Sequence, residues 1–354
     1  MALFLLLCVL ATVLTLNAIK PDPAAPATSF STLMNGKTSA AMEKAYAKAL
    51  AGKDLIMATW GSIGYGMFRS GSKGAVIGRD GWLYTDEEFS PTGTKAEAAY
   101  HENMAHIAAA QRFLKARGVA LRIILIPAKT RLYPEHLYHP MPKERQPIYE
   151  NTLAALRAEG ITAVDALSVM ESLKREGKQP FMRTDTHWSP DATLAVAEQV
   201  RAVAPAGLKE KSHTLNRIAA ENYLGDLGDF VPTGFARPFV GPASEPLARL
   251  EVNADAPQGD APNGDGLFAE ENVEAALIGT SYSAVEKWNF EGALKYALHA
   301  DVLNLADPGE GPMKPMAKFL AGHDFAAQPL KLVIWEIPER FLPVHYDVAF
   351  PVKE

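Results

Sequence analysis

Residues 119–127 read VALRIILIP and residues 330–338 read LKLVIWEIP. In each run, apolar and β-branched side chains fill nearly every position without polar alternation, and a proline ends the run. A strand that is apolar on both faces must be covered on both, so each belongs inside a sheet with helices above and below. Neighbouring segments supply those helices. TKAEAAYHENMAHIAAAQRFLKARG (94–118) has a helical pattern with Gly118 as its C-cap, and RQPIYENTLAALRAEG (145–160) is a second helix. ITAVDA (161–166) is a short strand, followed by helices in DALSVMESLKREG (165–177) and SPDATLAVAEQVRAVA (189–204). Ser189 reads as the N-cap of the last, with Pro190 at its first position and Asp191 in its first turn. Strand and helix alternate again through VEAALIGTSYS, EGALKYALHA, DVLNL, MAKFLAG and LKLVIWEIP. The expected class is α/β, with a mostly parallel sheet between two helical layers.

The alternation lapses at about 205–272, where APQGDAPNGDG (256–266) reads as a surface loop. One domain over 38–354 with an insertion at 205–272 fits better than two tandem domains. GRDG within GAVIGRDGWLYTDEE marks a tight hairpin. Residues 1–19, MALFLLLCVLATVLTLNAI, form an uncharged apolar run of about the length that crosses a bilayer, read as a signal anchor or signal peptide. A Pro/Ala-rich linker, 20–37, follows. The expected location is therefore the periplasm, with the N-terminal segment as a tether to the inner membrane. Cys8, the single cysteine, lies within the apolar run, so the remainder has no Cys nucleophile, Cys-based zinc site or disulfide. A formal net charge of −6 argues against a general nucleic-acid binder.

Two segments carry chemistry. In AALIGTSYSAVEKWNF (275–290) an apolar strand runs into Gly279-Thr280-Ser281, and ligands of open α/β sheets bind beyond the carboxyl ends of strands. A serine on a tight turn there exposes its hydroxyl, and the turn's N–H groups can face a developing oxyanion. A cap for the following segment is the plainer reading of Ser281. In MRTDTHWSPD (182–191), Asp185 and His187 stand two apart, so both can emerge from one loop on the same side. A serine nucleophile needs such a base, and the imidazole needs a carboxylate to fix its tautomer. The same stretch also reads as D-x-H-x3-D, a cation constellation of Asp185, His187 and Asp191. The other histidines form no H-x-H or H-E-x-x-H pattern, and Asp191 is accounted for as a helix-start charge.

Taken together, DGWLY, IPAKTRLYPE, RTDTHWSPDA, IGTSYSAVEKWNFEGALKYAL, DVLN and LVIWEIPERFL resemble the alginate O-acetyltransferase family (AlgJ/AlgX type), over about 80–345. The resemblance implies an SGNH hydrolase-like three-layer sandwich. It implies a triad of Ser281 as nucleophile, His187 as base and Asp185 as its orienting carboxylate, with Asp-x-His ahead of the serine in the chain. It also implies acetyl transfer to hydroxyls of an exopolysaccharide, alginate or a related polymer, without a cofactor. A membrane-bound O-acyltransferase would be the acetyl donor, and other export and modification proteins would be partners. The chain ends soon after WEIPERFLP, without the carbohydrate-binding module of the AlgX branch, which makes the AlgJ-like branch the nearer one.

An acidic polymer calls for a local basic rim, for which Lys129, Arg131, Arg183 and Lys287 are candidates. Tyr282 and Asn289 are candidate oxyanion donors. Trp188 and Trp288 are candidates for stacking on sugar rings, with packed tryptophans as the stronger reading. Trp335, Glu336 and Arg340 end the last strand, where pairing of Glu336 with Arg340 is the favoured reading over a role for Glu336 in orienting the site. Two alternatives stay open. One is a carbohydrate acetylesterase of the same fold, and the other is a non-catalytic polysaccharide-binding component of the export complex.

Overall fold

The two apolar runs lie side by side at the centre of a parallel sheet. A computed structural model describes residues 2–20, 27–255, 273–322, 325 and 329–350. Among them the strands are β1 (Ala75–Ile77), β2 (Leu83–Thr85), β3 (Ala120–Ile126), β4 (Thr162–Asp165), β5 (His213–Arg217), β6 (Glu221–Tyr223), β7 (Glu245–Leu247), β8 (Leu250–Ala254), β9 (Ala275–Ile278), β10 (Val302–Asn304) and β11 (Leu332–Pro338). Five of them form one sheet in the order β10-β9-β11-β3-β4, every neighbouring pair parallel. The register of the central pair sets Leu332 beside Ala120 and Pro338 beside Ile126, so the two proline-ended runs finish within one residue of each other.

Period two then divides the side chains between two cores. Ile124, Ile126, Leu277, Leu332 and Ile334 point to one face. There they meet Met170, Val196, Val200, Ala293 and Leu294 from the helices Ala166–Arg175, Pro190–Val203 and Phe290–Leu298. Ile123, Leu125, Ile278, Val333, Trp335 and Ile337 point to the other. Ile107, Leu114, Tyr149, Leu156, Met316 and Phe319 cover them, from the helices Thr94–Lys115, Ile148–Ala158 and Met313–Ala321. Each buried Val, Leu or Ile stabilises the fold by about 1.5–3 kcal/mol, which is why these strands admit almost no polar residue. The expected three layers are therefore present. Glu336, in the middle of β11 and fully buried, is the exception.

The GRDG hairpin is present between β1 and β2, with Asp80 and Gly81 at φ 55° and 76°, the left-handed region such a turn demands. Ser189 caps the helix Pro190–Val203 by accepting from the Ala192 amide. Within 205–272, the described residues form two antiparallel pairs, β5 with β8 and β6 with β7, and 256–272, including APQGDAPNGDG, lies outside the described residues.

The chain divides into two compact units, Met1–Arg69 with Val231–Gly241, and Ser70–Phe230 with Pro242–Glu354. The first is helical, with Ala2–Ala18, Lys37–Ala49 and Lys53–Ile63 as its main elements. The apolar run folds as a helix of 17 residues, Ala2–Ala18. At 1.5 Å per residue it extends about 26 Å, short of the ~30 Å hydrocarbon core. Among the described residues no helix is long and apolar enough to cross a membrane, so the expected inner-membrane tether has no support from the structure.

Candidate active site

The second unit brings the chemistry-bearing segments together at the carboxyl ends of β9, β11 and β3. β9 ends at Ile278, and Gly279-Thr280 turns the chain into a single helical turn, Ser281–Ala284. The turn is held from below by Glu336 of β11. Its carboxylate accepts from the Thr280 amide (2.7 Å), from Thr280 Oγ1 (3.1 Å) and from Ser283 Oγ (3.0 Å). Gly279 is required by this contact, since a Cβ there would sit 2.4 Å from Glu336 Oε2. Burial pushes the Glu336 carboxyl up to about 7, against the hydrogen bonds from Thr280 and Ser283. Orienting the turn, not pairing with Arg340, is thus what Glu336 does. Arg340 pairs with Glu87 (2.8 Å) and donates to Tyr282 Oη (2.7 Å).

Asp185 and His187 sit in a tight loop closed by a bridge between Phe181 and Trp188 and by the Met182 amide on the His187 carbonyl. His187 Nε2 is 2.8 Å from Ser281 Oγ, and its Nδ1 is 2.6 Å from Asp185 Oδ1. The three residues named from the sequence therefore form one continuous hydrogen-bonded chain. Asp185 Oδ1 also accepts from the His187 amide (2.9 Å), and Oδ2 accepts from Tyr223 Oη (2.5 Å) and the Asp226 amide (3.0 Å). Burial opposes its charge, but the hydrogen bond and charge of His187, then the Tyr223 and Asp226 donors, hold its carboxyl far below the usual range. Asp226 answers in the opposite sense. Desolvation at the site and then the like charge of Asp185 push its carboxyl up.

Tyr223 and Asp226 come from β6 and the loop after it, 38 and 41 residues beyond Asp185. Neither stood out in the sequence, where 205–272 has no regular period. Gly225 between them is the one local sign of close approach: a Cβ there would lie 2.4 Å from the Thr184 carbonyl and the Asp185 amide. Glu245 of β7 completes the frame by accepting from the Arg183 amide (2.8 Å), the Thr184 amide (2.8 Å) and Thr184 Oγ1 (2.9 Å).

The candidate rim and donor residues are mostly committed elsewhere. Lys129 is buried, and its ammonium donates to the carbonyls of Leu83 (2.5 Å), Arg183 (3.0 Å) and Asp185 (2.9 Å). Its three N–H donors are thereby used, so it fastens the Asp185 loop instead of facing a polymer. Burial brings its amine down to about 8, against the pull of Glu245, Glu88 and Asp185. Arg131 is paired with Glu339 (2.5 Å) and Glu150 (3.2 Å). Arg183, half-buried, reaches the carbonyls of Ala243 and Ser244. Tyr282 is buried and donates to the Thr186 carbonyl (2.8 Å), so its phenol is no oxyanion donor. Asn289 caps the helix Phe290–Leu298 through the Gly292 amide and donates to the Leu250 carbonyl. Trp188 is buried and donates to the Tyr282 carbonyl (3.1 Å), a packed indole as its stronger reading had it. Trp335 lies in the opposite core and donates to the Pro312 carbonyl. Lys287 and Trp288 remain beside the site. The Lys287 ammonium lies 3.9 Å from the Tyr223 ring centroid, and the buried Trp288 stacks on the His187 ring at 5.5 Å.

The cation constellation does not assemble as read. Asp191 pairs with Arg217 (2.5 Å) at the head of its helix. Asp226 takes its place, offering with Asp185 and His187 ligand atoms within 4.8 Å of one another. The four acceptor positions of Asp185 are already filled by the His187 amide and ring, Tyr223 and Asp226, which fits a base-orienting carboxylate better than a metal ligand.

The matching family model is the SGNH hydrolase-like domain of the acetyltransferase AlgX, over residues 75–339. The "Probable alginate O-acetylase AlgJ" of Azotobacter vinelandii is 39% identical over 322 residues, covering 90% of this chain and 82% of the relative. The protein of that description from Pseudomonas aeruginosa is 38% identical over 349 residues, covering 94% and 86%. Among solved structures, the O-acetyltransferase domain of Pseudomonas putida AlgJ matches at 36% identity with a TM-score of 0.67, covering 77% of this chain and 94% of that one. Pseudomonas aeruginosa AlgX, at 22% identity and a TM-score of 0.55, shares the fold over 76% of this chain and 66% of its own.

Proposed function

Because the chain belongs to the family of the SGNH hydrolase-like AlgX/AlgJ acetyltransferases, we propose that it transfers acetyl groups to hydroxyls of alginate or a related exopolysaccharide through Ser281, His187 and Asp185. The hydrogen-bonded series from Asp185 through His187 to the half-buried Ser281 hydroxyl carries this reading.

In the first half-reaction Ser281 Oγ bonds to the acetyl carbonyl carbon of the donor while its proton passes to His187 Nε2. The tetrahedral adduct collapses, the donor's bond to the acetyl carbon breaks, and its leaving oxygen takes the proton from His187. In the second, an acceptor hydroxyl bonds to the acetyl-serine carbon and gives its proton to His187. Ser281 Oγ then leaves and regains a proton from the imidazolium. Asp185 keeps the Nδ1 proton in place and stabilises the charged ring at both stages. The oxyanion needs N–H donors, and the Ser281 amide, which opens a helical turn, has no intrahelical acceptor, while the Tyr282 amide makes only a long cap bond to Thr280 Oγ1 (3.4 Å).

The names of the relatives support alginate as the polymer. The periplasm as compartment, a membrane-bound O-acyltransferase as donor and an AlgX-type protein as neighbour complete the proposal. Incubation of the full chain with an activated acetyl ester and alginate oligosaccharides tests it. Acetylated sugar that disappears with Ser281→Ala supports transfer, while free acetate alone would mean an esterase. Transfer that survives Ser281→Ala would remove the catalytic assignment.

A further inference from the structure

The other cations near the site are held by carboxylates, as Arg131 and Arg340 are, by carbonyls, as Lys129 and Arg183 are, or over an aromatic ring, as Lys287 is. The Nη groups of Arg145 have no such partner among the described residues. Arg145 is 7% exposed and spends only Nε, on the Ser90 carbonyl (2.8 Å). Among the described residues neither Nη group meets an acceptor, and no carboxylate lies within ion-pair distance. The two Nη groups keep contact with solvent while the rest of the side chain is buried, so the charge is only partly hydrated and has no compensating anion. Burial accordingly lowers its pKa, even with Glu88, Glu339 and Glu87 at longer range. Arg145 lines a cavity of about 570 Å³, a volume in the range of ligand pockets. Two other cations line it, each held by a carboxylate: Arg340 by Glu87, and Lys314 by Glu310 (2.6 Å). Asp347 also lines it, outside ion-pair distance of Arg145. Arg340 ties this cavity to the nucleophile turn, since its guanidinium donates to the phenol of Tyr282, the residue after Ser281.

We propose that this cavity is a subsite for the carboxylate of an acidic sugar residue in the acceptor chain, with the Nη groups of Arg145 as its bidentate donors. The inference rests on the reading of the chain as an acetyltransferase for a uronate polymer, and it assigns the anion recognition that Lys129 and Arg131 do not provide. A planar guanidinium matches a carboxylate with two parallel N–H···O bonds, which is why arginine suits the role.

The test is a direct binding measurement on full-length Ser281→Ala protein, titrated with an alginate oligosaccharide and with a neutral oligosaccharide of equal length. Adding Arg145→Gln is expected to weaken uronate binding tenfold or more, with little change for the neutral sugar, and Arg145→Lys is expected to recover part of the loss. Lys314→Gln, at an exposed position where folding is not at risk, is expected to weaken uronate binding two- to threefold. Unchanged uronate affinity in both Arg145→Gln and Lys314→Gln, or equal losses for the neutral sugar, would overturn the proposal. Since this protein lacks the nucleophile, Arg145-dependent uronate binding would stand even if acetyl transfer by the intact chain failed, so the two readings fail separately.

Discussion

Replacement of Glu336 by Gln isolates what a buried carboxylate under the nucleophile turn costs the fold. Its folded value of about 7 lies above the ordinary 4.5, so the folded protein binds the extra proton between those limits. An acid raised in this way contributes stability that is present below about 4.5 and is lost as pH rises through 7. Applying 1.36 kcal/mol per unit and integrating from pH 5 to pH 8 gives a loss of about 2–3 kcal/mol in the native protein. Glutamine is isosteric and does not ionise. Its oxygen can keep the Thr280 amide, while its NH2 donates to Thr280 Oγ1 or Ser283 Oγ, both able to accept. Denaturant unfolding of both proteins at the two pH values, followed by fluorescence of buried tryptophans such as the neighbouring Trp335, reads the effect. The stability of Glu336→Gln relative to the native chain is expected to improve by about 2–3 kcal/mol between pH 5 and pH 8. A difference that stays constant within ~0.5 kcal/mol would refute the reasoning, because Glu336 would then titrate alike in both states.

Gly225→Ala would press a Cβ into the Thr184 carbonyl and the Asp185 amide. It is expected to cut acetyl transfer by about tenfold or more through a displacement on the order of 1 Å, with the fold retained by circular dichroism. Asp185→Asn is expected to lose on the order of 10⁴-fold in turnover, as in other serine triads whose carboxylate is removed. Asp191→Asn, which only breaks an exposed pair with Arg217, is expected to stay within about twofold. Equal losses for the two in a transfer assay would revive the cation reading, as would inactivation by a chelator.

The sheet was legible because a strand buried on both faces leaves an unbroken apolar run, and VALRIILIP and LVIWEIP are such runs. Asp185, His187 and Ser281 were legible because each stands in a short segment whose local chemistry is recognisable. Their support was not. Tyr223 and Asp226 reach the site from a stretch whose strands are short and largely exposed, so no period marks them. Lys129 and Arg131 misled for a related reason. A cation whose partners are backbone carbonyls or a distant Glu339 reads in one dimension like a free surface charge, and only tertiary contacts tell them apart. Arg145 shows the converse: nothing in KERQP sets it apart until three dimensions show that, among the described residues, only its Nε has an acceptor.

Mass spectrometry of the peptide containing Ser281, after brief exposure of the full chain to an activated acetyl ester, tests the proposed acyl-enzyme most directly. One acetyl group on Ser281 is predicted, absent when His187 is alanine and discharged when alginate oligosaccharide is added. An acetyl group lodged on another residue, with Ser281 unmodified while sugar is still acetylated, would contradict the account.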